Sequence, residues 1–339
     1  IEANIPEAVQ KALADDKKEY THIRYEVEIG LDPATNEIGL DHETLWLMTQ
    51  TEKKEPPQLD MFPATHIAAS SIFRNSGKGL KLAIKKNPSG NDNYYTEGRK
   101  SYQPSFRLGR SRSALANIPA DQQSFPVSTW FRDLLEQGVQ TFVLNSQIIR
   151  QPSPPGQGLI FRSDGSNLPW AIDELRHNKK RFQKWLDHVQ TALEDIEDIT
   201  TIERPEDRHR YLVINYKNGA IVPSWLASDG TLRLLALTIP AYLPNFVGTF
   251  LIEEPENGIH PRAIETVLQS LSSMYDGQVL VATHSPVALN MLGPEQILCF
   301  AKDAEGATDI VSGDRHPVLR TWKDGEPDLG VLFASGILS

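Results

Sequence analysis

The chain has one cysteine, Cys299, in 339 residues. A single thiol excludes an internal disulfide, and such sparing use of cysteine favours a reducing compartment, so we expect a cytoplasmic protein. Apolar runs of the roughly 18 residues that a membrane-spanning helix needs are also missing, and no signal peptide is evident. We therefore expect neither a secreted disulfide scaffold nor a membrane-bound protein.

Positive charge is scarce, because 34 Lys and Arg stand against 44 Asp and Glu and give a net charge of −10. This balance does not favour nucleic-acid binding by the chain as a whole. Residues 74–112 are the exception, since ten cations against Asp92 and Glu97 give this segment a charge of +8. The ten cations are Arg74, Lys78, Lys81, Lys85, Lys86, Arg99, Lys100, Arg107, Arg110 and Arg112. With aromatic residues such as Tyr94 and Phe106 between them, they predict either a DNA contact or a solvated loop region that balances an acidic partner.

The remaining patterns predict a mixed α/β architecture with one large core or two smaller ones. Strand-like runs around polar turns predict three hairpins. These are residues 21–30 with 38–48, 80–84 with 92–96, and 211–216 with 220–226 across Asn218-Gly219. An apolar stripe at helical spacing predicts a core-facing helix, and the acidic run 194–198 fits the surface of that helix. The stripe consists of Phe182, Trp185, Leu186, Val189, Leu193 and Ile196.

The segment FLIEEPENGIHP, residues 250–261, carries the clearest chemical signal. An apolar run predicts a strand buried in a parallel sheet, and Glu253 and Glu254 follow at its carboxyl end, where open α/β sheets bind ligands. Adjacent carboxylates at that edge suit the presentation of magnesium and water to a phosphate group. On this interpretation Glu253 belongs to the magnesium shell and Glu254 is the general base. The alternative is two exposed glutamates that precede a helix starting at Pro261.

A second apolar strand follows that helix and ends in Thr283-His284-Ser285. Because strand, helix and strand of this length form a parallel βαβ unit, we expect His284 and Glu254 at the same sheet edge. A histidine there can donate a hydrogen bond to a terminal phosphate oxygen; the alternative is a histidine satisfied within a turn. Upstream, Ser228-Asp229-Gly230 precedes an apolar helix at residues 232–243 and predicts an anion site or, alternatively, an ordinary serine cap.

Taken in this order, residues 224–286 resemble the carboxyl half of an ABC-type ATPase head, of the class that includes RecF, SMC and OLD ATPases. Residues 228–230 match the signature motif, 252–254 the Walker B strand end, 256–258 the D-loop and 283–285 the switch histidine. The resemblance implies a P-loop NTPase fold with ATP and Mg²⁺ as cofactors. It implies these roles: Glu254 and His284 as catalytic residues, Glu253 at the metal, and Ser228, Asp229, Gly230, Asn257 and Gly258 at the nucleotide. It also implies a homodimer in which the signature serine and glycine contact the ATP of the other subunit.

Three features depart from the family pattern. The first Walker B carboxylate is Glu253 where aspartate is usual, and the signature reads ASDGT where transporters have LSGGQ. No GxxxxGK[ST] occurs, and the nearest sequence, at residues 75–79, lacks the first glycine and the magnesium-binding hydroxyl. We expect the phosphate-binding loop to belong to a segment before Ile1; the alternative is that the native protein lacks this loop and binds nucleotide only weakly.

The resemblance implies one ABC-type head over residues 1–339. Its expected parts are a β-rich lobe at 1–150 without Walker A, a helical lobe and hairpin at 160–230, and a Walker B and switch half at 231–339. The implied function is an ATPase that dimerises around ATP and regulates a separate effector, such as a TOPRIM nuclease or another DNA-directed enzyme, in bacterial phage defence. The alternatives are a RecF-like DNA repair ATPase, a transporter subunit with a membrane partner, and an ATPase-dead scaffold.

Overall fold

The computed structural model describes residues 1–13, 20–32, 35–49, 79–98, 103–157, 160–244, 248–274, 277–302, 306, 308–321 and 328–336. These residues form two compact units, Ile1–Gln137 and Gly138–Ser339. The boundary between the units lies just before a strand at Val139–Phe142, so this strand belongs to the second unit. The β-rich lobe expected from the sequence extends further, to residue 150. Within the described residues, no helix is long and apolar enough to cross a membrane.

The first unit is built on an antiparallel sheet. In its described part the elements are β1 (Glu2–Asn4), α1 (Glu7–Gln10), β2 (Tyr20–Leu31), β3 (Ile38–Thr49), β4 (Leu80–Lys85), β5 (Asp92–Tyr94), β6 (Ser105–Phe106) and α2 (Pro126–Gln137). The strands lie in sequence order, and each pairs antiparallel with the next. The predicted hairpins β2–β3 and β4–β5 are therefore confirmed. Apolar residues of β3 such as Leu45 and Leu47 are fully buried beside Phe131 of α2.

Buried carboxylates attach the irregular chain of this unit to its sheet. Glu43 of β3 is fully buried and accepts hydrogen bonds from the backbone N–H groups of Ala114 and Leu115 at 2.7 and 2.9 Å. Glu97, also fully buried, accepts from the N–H of Val127 at 2.7 Å and from the Ser128 hydroxyl, and so caps the start of α2. Burial raises the pKa of Glu97 to about 7, although the hydrogen bonds at the start of α2 act in the opposite direction.

The second unit contains the parallel sheet. Its described elements are β7 (Val139–Phe142), α3 (Ser146–Ile149), α4 (Leu168–His177), α5 (Lys179–Gln190), β8 (Ile196–Glu203), β9 (Arg210–Tyr216), β10 (Ile221–Pro223), α6 (Asp229–Thr238), β11 (Gly248–Glu253), α7 (Pro261–Ser272), β12 (Gly277–Ala282), α8 (Pro286–Leu289), β13 (Leu298–Lys302), β14 (Thr308–Ser312), α9 (Pro317–Thr321) and α10 (Leu329–Ala334).

Strand β11 lies between β12 and β7 and is parallel to both. Its Phe250 and Ile252 share one face and are buried, whereas Thr249 and Leu251 on the other face are half-buried, so the strand is fully covered on one face only. Helix α7 connects β11 to β12 and buries an apolar face that includes Ile264, Val267 and Leu271. The predicted βαβ unit and the α/β class are thus confirmed. This connection brings the carboxyl ends of two neighbouring strands to one edge.

Helices α5 and α6 bury their apolar residues in the same core. Trp185 of α5 is fully buried, and its Nε1 donates to Thr238 Oγ1 of α6 at 3.0 Å. The β8–β9–β10 sheet is antiparallel, so the hairpin predicted across Asn218-Gly219 is confirmed.

The predicted helix over the apolar stripe is wrong at its carboxyl end. Helix α5 ends at Gln190, and Ile196 begins strand β8. Ile196 and Ile199 are buried in a segment rich in β-branched residues, which favour extended backbone over helix. The acidic run 194–198 therefore lies in a turn and the first residues of a strand, not on a helix surface.

Candidate active site at the carboxyl edge of the parallel sheet

The two carboxylates predicted at the strand end lie at the carboxyl edge of the sheet. Glu253 is the last residue of β11, pairs with Ala282 of β12, and has an exposed side chain. Glu254 follows and donates its N–H to the carbonyl oxygen of Ala282 at 2.7 Å. His284 lies two residues beyond β12, and its Nε2 is 3.8 Å from Glu254 Oε1. The structure therefore brings Glu254 and His284 together, with both side chains accessible to solvent.

Glu254 has a strained backbone. Its φ of 44° lies in the left-handed region, which costs a residue with a Cβ about 1–2 kcal/mol. The turn from Pro255 to Gly258 maintains this conformation through a hydrogen bond from the N–H of Asn257 to the carbonyl oxygen of Glu254 at 3.0 Å. Strain of this kind persists where the surrounding structure fixes a functional side chain. The Glu254 carboxylate also accepts a hydrogen bond from the Asn257 side-chain amide.

Gly258 and Gly230 each have a local structural reason to be glycine. Gly258 has a φ of 75°, which favours glycine. A Cβ on Gly230 would lie 2.8 Å from the carbonyl oxygen of Gly258, so the start of α6 approaches the turn after β11 closely. The structure thus brings the predicted signature glycine and the predicted D-loop into contact within one chain.

Ser228 is the N-cap residue of α6. Its Oγ accepts a hydrogen bond from the N–H of Thr231 at 3.1 Å and lies 2.8 Å from Thr231 Oγ1. This contact is the serine cap that the sequence left as an alternative. Asp229, in the first turn of α6, accepts from Nε and Nη2 of Arg150 at 3.1 and 2.6 Å. The exposed Ser228 and Asp229 side chains thus lie beside a cation that the sequence did not identify.

Sequence reasoning placed Glu256 in the D-loop match but assigned its side chain no role. Its Oε1 accepts hydrogen bonds from Thr283 Oγ1 at 2.8 Å and from the N–H of His284 at 3.0 Å. The available signal was the position of Glu256 in the loop after β11, which lies next to the polar turn after β12. That signal does not show which of the three glutamates in the segment faces the neighbouring turn.

The donor set at this edge suits a magnesium ion held partly by the nucleotide. Mg²⁺ commonly keeps several waters and uses one or two carboxylates together with substrate phosphates. Glu253 is exposed at the strand end and presents a carboxylate of this kind. The described residues contain no group of three or more His, Cys, Asp or Glu side chains that could hold a metal by themselves. The residues present therefore fit Mg²⁺ that arrives with a nucleotide.

The basic segment is only partly available for a DNA contact. Lys86 is buried, with its Nζ 3.2 Å from Asp92 Oδ2, so the predicted DNA role is wrong for this residue. Arg110 pairs with Asp32 at 2.9 Å, and the Tyr94 ring is fully buried. Four of the ten cations, Arg74, Lys78, Arg99 and Lys100, lie outside the described residues, as does the neighbouring aromatic residue Tyr102. Residues 75–78 of the nearest phosphate-loop-like sequence also lie outside them.

One family model covers most of the chain. The family model described as "AAA domain, putative AbiEii toxin, Type IV TA system" matches residues 5–290. The chain belongs to this AAA family. The α/β P-loop NTPase fold and the resemblance to ABC-type ATPase heads are confirmed by this membership. Use of ATP with Mg²⁺ is general in such ATPase families. No curated protein matches the chain.

Solved structures similar to this AAA family member include three SMC head domains. The first is the Pyrococcus yayanosii head with a coiled coil and joint, at 16% identity and a TM-score of 0.34, covering 43% of this chain and 29% of that one. An SMC head bound to the C-terminal winged-helix domain of ScpA has 14% identity and a TM-score of 0.39, covering 80% of this chain and 74% of that one. The Pyrococcus furiosus head bound to the C-terminal domain of ScpA has 11% identity and a TM-score of 0.39, covering 82% and 78%.

Proposed function

We propose that this protein hydrolyses ATP with Glu254 as the general base. The observation that carries the proposal is the strained Glu254 at the end of β11, with its carboxylate 3.8 Å from the His284 imidazole. A base must reach the attacking water from a fixed position, and the turn after β11 supplies that position. Removal of such a base typically lowers the rate by about 10²–10⁴.

The neighbouring residues have complementary roles in this proposal. His284 donates a hydrogen bond to a terminal phosphate oxygen, and its exposed ring leaves room for that contact. Glu253 takes part in holding Mg²⁺, which when bound neutralises charge on the phosphates. Asn257 orients the Glu254 carboxylate through its side-chain amide. Each role is consistent with the membership in an ATPase family.

We also propose that hydrolysis occurs between two copies of the chain. Ser228 and Gly230 of one protomer contact the ATP bound by its partner. The capping contacts of Ser228 do not prevent this role, because a hydroxyl that accepts from the N–H and from the Oγ1–H of Thr231 still has a proton to donate. Arg150 offsets the negative charge of Asp229 at the same helix start, which lowers repulsion of a phosphate.

A mixing experiment with full-length protein tests both parts. Glu254→Gln removes the base and keeps the signature serine, whereas Ser228→Asp keeps the base and a good helix cap but adds a charge that repels phosphate. Each variant alone should hydrolyse ATP slowly. An equimolar mixture should recover a substantial part of the unsubstituted rate, because a mixed dimer contains one site with both intact groups. A mixture as slow as its components would contradict the shared site.

A biological role in phage defence, exercised through a separate effector such as a nuclease, is the third part of the proposal. The family description, which names a toxin of a type IV toxin–antitoxin system, supports this role. Cells that carry the protein with its genomic neighbours should reduce phage plaque formation, and Glu254→Gln should abolish the reduction. Equal protection by the variant would favour the scaffold alternative.

A further inference from the structure

Glu256 joins the turn that follows β11 to the turn that follows β12. Its Oε1 accepts from Thr283 Oγ1 at 2.8 Å and from the N–H of His284 at 3.0 Å. Thr283 Oγ1 in turn accepts from the N–H of Ser285 at 3.0 Å. A single carboxylate oxygen therefore organises three consecutive residues, and the middle one is the candidate catalytic histidine.

The imidazole of His284 is held much less firmly than its backbone. The side chain is 77% exposed, and its Nε2 lies 3.8 Å from Glu254 Oε1, which is longer than a hydrogen bond. The ring centroid is 6.1 Å from that of Phe333. The position of the ring over the sheet edge thus depends mainly on where the backbone of His284 is anchored.

The turn that bears Glu256 also fixes the general base. The N–H of Asn257 donates to the carbonyl oxygen of Glu254 at 3.0 Å. The N–H of Ile259 donates to the backbone carbonyl oxygen of Glu256 at 3.1 Å. One tight turn consequently determines the backbone of Glu254 and the direction of the Glu256 side chain. Any displacement of this turn moves the base and the histidine together.

We infer that Glu256 is a positioning residue that sets the distance between the catalytic base and His284 through its hydrogen bonds to Thr283 and His284. This inference rests on the proposed ATPase function. In this role Glu256 does not itself contact the substrate; it acts only through the turn formed by Thr283, His284 and Ser285. A displacement of about 1 Å at a catalytic group can lower a rate by about 10²-fold, so the loss of this anchor should affect turnover more than ATP affinity.

Three substitutions in full-length protein separate positioning from charge. Glu256→Ala removes the acceptor, and Glu256→Asp withdraws it by one methylene. Glu256→Gln keeps an acceptor oxygen at the Oε1 position. The Oε2 atom is buried without a hydrogen-bond partner among the described residues, so an amide at that position loses no existing bond. We expect kcat to fall about 10²-fold in the Ala and Asp variants with KM for ATP nearly unchanged, and the Gln variant to stay within a few-fold of the unsubstituted protein.

A double-substitution cycle with His284→Ala distinguishes positioning from a general loss of structure. If Glu256 acts through His284, the Glu256→Ala change should cost little further activity once the imidazole is absent. Glu265→Ala, an exposed glutamate on α7, is the matched control and should leave kcat unchanged in either background. Should Glu256→Ala fail to fold, the contrast between Glu256→Asp and Glu256→Gln decides the same question.

The outcomes for the inference and for the proposed function differ. Three results would overturn the inference while Glu254-dependent hydrolysis remained. They are an unchanged kcat in Glu256→Ala or Glu256→Asp, a tenfold or greater loss of kcat in Glu256→Gln, and additive losses in the double-substitution cycle. Absence of hydrolysis in the unsubstituted protein, or hydrolysis indifferent to Glu254→Gln, would overturn the proposed function and the inference with it. The inference and the proposed function would both be supported if kcat falls similarly in the Glu256→Ala and Glu256→Asp variants, is retained in Glu256→Gln, and shows non-additive losses in the double-substitution cycle.

Discussion

At the residue scale, Glu254 combines a chemical role with an unfavourable backbone. Its φ of 44° is poorly tolerated by residues with a Cβ and readily adopted by glycine. We expect Glu254→Gly to be more stable than Glu254→Ala by about 1 kcal/mol, with neither variant active. Urea unfolding of the two variants measures this difference. Equal stabilities, or a more stable alanine variant, would show that the turn does not impose strain on this residue.

Glu97 predicts a pH dependence of stability in the first unit. Burial raises its pKa to about 7 from an ordinary value of 4.5, so the folded state binds the proton more tightly than the unfolded state. Its contribution to stability is therefore fully present below pH 4.5 and is lost as the pH rises through about 7. The loss amounts to roughly 3 kcal/mol, from about 1.4 kcal/mol for each pH unit of difference.

Glu97→Gln should remove this dependence, because the amide does not titrate and still offers an oxygen to the N–H of Val127. Unfolding free energies at pH 5 and pH 8 measure the effect. The unsubstituted protein should lose stability between these values, and the variant should lose much less. An equal loss in both proteins would assign the pH dependence to other groups.

At the element scale, Ser228 serves helix α6 and, in the proposed function, the nucleotide of the partner subunit. Ser228→Ala should lower the unfolding free energy by about 1 kcal/mol, because the cap on the Thr231 N–H is lost. Ser228→Asp should keep that stability, since aspartate caps helices as well as serine does, yet it should lose hydrolysis through repulsion of phosphate. Thermal unfolding and ATP hydrolysis, measured on the same samples, separate the two roles. A Ser228→Asp protein with full activity would limit Ser228 to capping.

The elements show which parts of this molecule can be predicted from sequence. Asn218-Gly219 and the apolar period after Pro261 are local signals, and they correctly predict a hairpin and helix α7. The stripe ending at Ile196 was misleading, because an apolar residue at helical spacing can equally begin a strand. Local periodicity therefore predicts element types well and element ends poorly.

The contacts that complete the site are not local. Glu256 and Thr283 are 27 residues apart, and Arg150 and Asp229 are 79 residues apart. Such pairs depend on the angles at which α3, α6 and the strands of the sheet meet, and no sequence period encodes those angles. The edge that carries Glu254 and His284 could be predicted because βαβ topology fixes it.

At the scale of the whole molecule, every residue proposed for catalysis or nucleotide binding lies in the second unit, Gly138–Ser339. The family match begins at residue 5 and so includes most of the first unit as well. The first unit contains all the described basic residues of the 74–112 segment, although burial and ion pairing remove Lys86 from any surface role. We therefore expect any effect of DNA on hydrolysis to depend on the exposed cations of this segment, such as Lys85 and Arg107.

The most direct test of the proposed ATPase is steady-state phosphate release by full-length protein over a range of protein concentrations, with Glu254→Gln and the control Glu265→Gln measured in parallel. The account predicts a rate that rises faster than linearly with protein concentration, falls about 10²–10⁴-fold in Glu254→Gln and is unchanged in Glu265→Gln. A rate that is unaffected by Glu254→Gln, or no phosphate release at any concentration, would contradict it.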